Sequence, residues 1–198
     1  MIKFIKTLAY PLTPPSGEIF SYLCKLTSQR MDPPSLYPNT LETDSLTIFH
    51  SPLQRVVSSL NKREGQRFVV RNELREIPFK LDDLCSREEW MLYRSAIVRR
   101  RFVQFFVEDR LTLRRDMIEN EIQNLLTQIT SVNNEVTVVS HSFRLKIIEA
   151  YIKTSGGIFL RPQTLADWIM PGQKTYGWGE GFEINRDDII SIPKSSPL

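Results

Sequence analysis

The sequence predicts an α/β fold, a sandwich of helices on a mainly parallel central sheet. Three observations lead there. Short apolar or β-branched runs at Ile2–Leu8, Leu46–Phe49, Arg67–Val70 and Val136–Val139 have the length and composition of strands. Segments between and after them carry apolar residues at helical spacing, as helices packed by one face do. Strands that alternate with helices in this order build parallel crossover units, so the strands share one direction.

Taken in order, Ile2 to Leu8 alternates apolar and basic residues and opens the sheet. From Ala9 to Thr40 the chain is rich in proline, and 11–40 reads as an insertion within one domain spanning 1–198. It holds one helical candidate, Glu18 to Gln29, with Ser16 as N-cap and an apolar stripe of Ile19, Tyr22, Leu23 and Leu26. Leu46 to Phe49 is the second strand, stopped by Ser51-Pro52. Leu53 to Leu60 then has helical spacing, with Pro52 in the first turn, where a missing N–H costs nothing. Arg67 to Val70 is the third strand and leads into Leu74-Arg75-Glu76-Ile77-Pro78. Two long helices follow, Glu88 to Val107 and Arg110 to Ile129, and then the strand Val136–Val139 with a helix over Phe143–Ile152. Beyond Ser155-Gly156-Gly157 the chain is punctuated by glycine and proline. Closing strands are expected at Phe182–Ile184 and Asp188–Ile192, with an exposed hairpin tip around Trp178.

Composition narrows the function classes. Hydrophobic residues at 41% and charged residues at 25% are ordinary globular values. With 26 basic and 23 acidic residues the net charge is +3, too mild to demand nucleic acid or an anionic membrane as partner. Two cysteines, Cys24 and Cys85, form no disulfide framework and suit a reducing compartment. Two histidines and two cysteines without close pairing offer no metal site, and no cofactor motif is present. The first residues lack a signal-peptide core and no apolar run could span a bilayer, so the expectation is a soluble, cytoplasmic protein. Arg99-Arg100-Arg101 fans around a helix rather than forming a stripe. A solvated face, or pairing with Glu88 and Glu89 or with Glu108 and Asp109, is expected. Trp90, Tyr93, Phe102, Phe105 and Phe106 read as core or as a contact between copies in a homo-oligomer.

The chemistry gathers at strand ends. Ser51-Pro52-Leu53-Gln54-Arg55, Leu74-Arg75-Glu76-Ile77 and Val139-Ser140-His141 each follow a predicted strand, which brings them to one edge of a parallel sheet. Helix N-termini there point free N–H groups outward. An arginine offers a planar fork of donors to phosphate oxygens, a histidine a further donor, and a glutamate a proton for a leaving oxygen. Glu73, three residues before Glu76, could face the site in its place. His50 lies at the rim beside Ser51.

In their order and spacing these three fragments resemble the histidine phosphatase superfamily, the phosphoglycerate mutase-like proteins, over roughly 2–152. The resemblance implies a three-layer α/β/α sandwich. It also implies a phosphate pocket of Arg55, His141 and Ser51, with Glu76 as proton donor and His141 stabilising the transferring phosphoryl group. The family's signature is Arg-His-Gly at the end of the first strand, whose histidine becomes phosphorylated. Here the strand ends in Thr7-Leu8-Ala9-Tyr10-Pro11, and a longer loop would align Pro15-Ser16-Gly17-Glu18; neither supplies a histidine. Ser142 also replaces the glycine usual after the second histidine. The resemblance therefore implies a degenerate site that binds a phosphate-containing small molecule, a phosphoprotein or another protein partner. The alternative is an active phosphomonoesterase whose nucleophile is His50 or an activated water.

Overall fold

Among the described residues five strands form one sheet in the order β3-β2-β4-β1-β5: β1 (Ile2–Lys6), β2 (Thr47–His50), β3 (Arg67–Val70), β4 (Val136–Ser140) and β5 (Gly181–Ile184). The structure, a computed structural model, describes residues 1–7, 40–78 and 85–192. The helix expected over 18–29, the alternative register at Pro15–Glu18 and Cys24 lie outside them. Strands β1 to β4 run parallel and β5 pairs antiparallel to β1. The fold is α/β with a mainly parallel sheet, as the strand–helix alternation predicts.

Strand β4 lies between β1 and β2, with Ile2 and Thr47 both opposite Val136. Its five residues are all buried, which is why it reads as an unbroken β-branched run. Side chains alternate between two cores. Ile2, Phe4, Phe49, Val136 and Val138 face a large cluster supplied mostly by helices. Ile5, Ile48 and Val139 face a smaller one with Leu41, Val56 and Leu60.

The helices are α1 (Gln54–Val57), α2 (Arg87–Tyr93), α3 (Ser95–Val107), α4 (Arg115–Thr130), α5 (Ser142–Lys153), α6 (Gly157–Leu160), α7 (Ala166–Ile169) and α8 (Arg186–Ile190). Several boundaries depart from expectation for visible reasons. Helix α1 stops early because the chain turns to bridge Leu60 to Leu41. The single helix expected over 88–107 is broken at Arg94, whose φ of 52° lies in the left-handed region. The break lets Trp90 on α2 and Phe102 and Phe106 on α3 reach the same core from helices of different direction. A capping box between Ser86 and Glu89 starts α2. Helix α4 begins at Arg115 rather than Arg110, because the Asp109 carboxylate accepts from the Arg115 N–H at 2.8 Å and caps it there.

Two C-terminal expectations are corrected. The strand expected at Asp188–Ile192 is helix α8, since Ile189 and Ile192 are buried at helical spacing and Asp187 and Asp188 favour a first turn. Trp178 is not at an exposed tip; it is half-buried and packs against the smaller core. Of the aromatic cluster, Trp90, Phe102, Phe105 and Phe106 are core, whereas Tyr93 is exposed. Among the described residues no helix is long and apolar enough to cross a membrane.

Strand β5 approaches β1 so closely that a Cβ on Gly181 would overlap the Phe4 carbonyl. Phe182, its neighbour, stacks on Phe4 at 4.6 Å between ring centroids. Gly181→Ala is expected to lower unfolding stability by about 3 kcal/mol in denaturant titration, since the colliding atoms are backbone and cannot turn aside. A change within about 0.5 kcal/mol would contradict this packing.

Candidate functional site

The site is built where β4 ends. His141 follows the last residue of β4 and precedes α5, with extended backbone (φ −115°, ψ 168°). Its ring is buried at 2% exposure and contacts two elements at once. Nδ1 accepts from Arg55 Nη2 at 2.7 Å and Nε at 3.1 Å. Nε2 lies 2.9 Å from Ser51 Oγ. A guanidinium is always protonated, so Nδ1 must be the bare nitrogen of a neutral ring and Nε2–H must donate to Ser51. Ser51 Oγ also accepts from the Leu53 N–H at 3.3 Å, which starts the turn into α1 and aims Arg55 back toward β4. Burial, and then the charges of Arg55 and Arg144, hold His141 well below the ordinary imidazole value. The ring is therefore neutral, with both nitrogens engaged.

Glu76 reaches the same strand end differently. The N-cap of α5 has no side-chain bond of its own. Glu76 supplies it from another segment, its Oε1 accepting from the Arg144 N–H at 3.0 Å and its Oε2 from Phe143 N–H at 3.3 Å. Oε1 also accepts from Ile77 N–H at 3.1 Å. The expectation of free N–H groups here is corrected, because a carboxylate of the chain already occupies these two. Burial raises the Glu76 carboxyl above its ordinary value, opposed by Arg55 and by the N–H groups of Arg144, Ile77 and Phe143.

Arg144 holds the Glu76 segment in place. It is 1% exposed, donates from Nε to the Arg75 carbonyl at 2.9 Å, and pairs through Nη2 with Glu121 of α4 at 2.8 Å. Ser140 Oγ adds a bond to the Leu74 carbonyl at 2.7 Å. The sequence offered no sign of this arginine's role, since it sits among apolar neighbours like any helical surface arginine. Glu73, the alternative carboxylate, acts electrostatically on Arg144.

Arg55, Ser51, His141 and Glu76 thus share one sheet edge, as their places after strands predicted. His50 does not join them. Its Nδ1–H donates to the Ser51 carbonyl at 2.9 Å and its ring meets Phe68 edge-on on the smaller-core side of the sheet. Beside Ser140 and His141, β1 contributes Lys6 and Thr7, whose N–H donates to the Ser140 carbonyl at 2.8 Å. Thr7 is buried, and its Oγ1 has no hydrogen-bond partner among the described residues. Of the arginine run, Arg101 pairs with Glu89 at 3.2 Å as expected, while Arg99 turns into a cleft. No known protein-family model matches the chain, and no curated protein sequence matches it either.

Two outcomes follow from this geometry. Because folding depresses His141 below 6.5, the unfolded chain binds a proton that the folded chain refuses. The stability this neutral ring provides is present above pH 6.5 and lost as pH falls toward the folded value, at up to about 1.4 kcal/mol per pH unit. Buried His50 adds to the loss, and the raised Glu76 carboxyl acts in the opposite sense. Comparing wild type with His141→Asn isolates the one ring: their stability gap should narrow as pH falls. A constant gap would exclude a neutral His141. Separately, Glu121→Ala strands a guanidinium whose side chain is 2% exposed, with an expected cost of about 3 kcal/mol. Glu108→Ala, facing exposed Arg110, should cost less than about 1 kcal/mol, and equal effects would count against a buried Arg144 charge.

Proposed function

We propose that this chain is a phosphoglycerate mutase-like member of the histidine phosphatase superfamily, with its three-layer sandwich, that binds a phosphate-bearing ligand without phosphohistidine chemistry. One observation carries the reading: Arg55 donates to His141 Nδ1 while His141 donates to Ser51. A histidine so engaged has no lone pair for attack on phosphorus and none to take a proton from Ser51, so neither becomes a nucleophile. The described end of β1 beside it carries Lys6 and Thr7, neither of them a histidine. What this arrangement can do is hold an anion. The half-buried Arg55 guanidinium matches phosphate oxygens in pairs, and His141 fixes its orientation so that less freedom is lost on binding. Glu76, already committed to the first turn of α5, serves to position the site rather than to donate a proton.

The test has two arms. Inorganic phosphate should stabilise the wild type by about 2.7 kcal/mol at 100 times its Kd, read as a rise in Tm, and Arg55→Ala should abolish that rise. The same protein should not hydrolyse 4-nitrophenyl phosphate at any pH from acid to mildly alkaline. Turnover that disappears in His141→Ala would overturn the non-catalytic reading in favour of a phosphomonoesterase.

A further inference from the structure

On the larger-core side of the sheet, the end of β1 opens into a small cleft of about 60 Å³ that the Arg55–His141 chain does not use. Lys6, the last residue of β1, alternates onto the same face as Phe4. Arg99 of α3 lines the cleft beside it. Lys6 donates to the Tyr176 carbonyl at 2.6 Å, and among the described residues neither it nor Arg99 has a carboxylate within ion-pair distance. The third cation of the cleft, Lys146, is already matched by Glu149 at 2.8 Å and lies over the Tyr176 ring. Among the described residues Lys6 and Arg99 are therefore the two cations of the cleft without an ion pair. Burial and the Arg99 charge hold Lys6 below its ordinary ammonium value, with Glu76 and Glu180 opposing from a distance.

Two half-buried like charges in one concavity repel and are poorly hydrated, which an entering anion relieves. The walls add a second requirement. Phe143 and Trp168 present apolar surface, Phe143 backed by Phe102 at 4.1 Å between ring centroids, and Ser142 and Thr175 supply hydroxyls. The cleft is small and open to solvent, so it seats the anion inside while a ring lies at its mouth against the apolar wall rather than enclosed. We propose that this cleft binds a small aromatic anion, its phosphate or carboxylate between Lys6 and Arg99 and its ring against Phe143 and Trp168. The site is separate from the one at Arg55, which approaches the strand ends from the smaller-core side with α1.

The test uses the full chain carrying Arg55→Ala, which silences the other site, titrated with 1-naphthyl phosphate and followed by tryptophan emission and calorimetry. Saturable binding is expected, weakened about tenfold by adding Arg99→Gln, which removes one charge-assisted contact. Arg99 makes no hydrogen bond to described residues that the change would break, and Lys6→Gln provides a second variant with the same expected direction. 1-Naphthol, which lacks the anion, should bind at least about tenfold more weakly than the phosphate. The proposal is overturned if the Arg55→Ala protein does not bind the probe, if Arg99→Gln and Lys6→Gln both leave affinity unchanged, or if 1-naphthol binds as well as the phosphate. Each of these results leaves the phosphate-dependent Tm shift through Arg55 standing or falling on its own.

Discussion

The Glu76 carboxylate across the first turn of α5 is the contact on which the sheet-end site depends. It joins the segment after β3 to the helix after β4, and so fixes two strand-end loops that have no sequence proximity. Arg144 completes the junction from beneath by holding the Arg75 carbonyl and Glu121 together. A buried cation of this kind is a poor source of net stability, because its desolvation cost offsets much of the Coulomb gain. What it provides is a fixed arrangement, since moving the Arg75 carbonyl or Glu121 away would leave further buried N–H donors unpaired. With that frame set, His141 has one place to stand, and α1 brings Arg55 and Ser51 to its two nitrogens.

The electrostatic character of this edge follows from the same frame. Burial, with the charges of Arg55 and Arg144, acts on the His141 ring, while Glu76 feels Arg55 and Arg144 is matched by Glu121. His141 responds by remaining neutral. A neutral imidazole with both nitrogens taken holds the Arg55 guanidinium in orientation, which is the basis of the binding function proposed above. The distinction rests on hydrogen-bond direction, set by Arg55 as an obligatory donor.

Much of this was legible beforehand because burial writes periodicity into sequence. Val136–Ser140, buried on both faces, could only be a central strand, and three polar fragments placed after strands had to meet at one edge. Long-range partners left no such trace. Nothing local to Asp109 says that its carboxylate will cap α4 at Arg115, so the pattern of Leu111 and Leu113 carries the expected helix further toward the N-terminus than the observed one. Arg94 carries no glycine-like signature, yet the need of Trp90 and Phe102 to share a core bends the chain there. At the C-terminus, Ile189 and Ile192 fit a strand or a helix over so short a span, and packing chose the helix.

The sequence by itself determined the fold class, the parallel strands and the presence of arginine, serine, glutamate and histidine at one sheet edge, because these depend on alternation and chain order. It also determined that no histidine accompanies His141 at the end of β1, where Lys6 and Thr7 stand. Tertiary structure alone decided that Glu76 caps a helix and that Arg144 is buried beneath it. It alone decided that both nitrogens of His141 are taken and that Lys6 faces Arg99 across a cleft. Each of these is a meeting of side chains distant in sequence, fixed by hydrogen-bond geometry and desolvation, which no local pattern encodes.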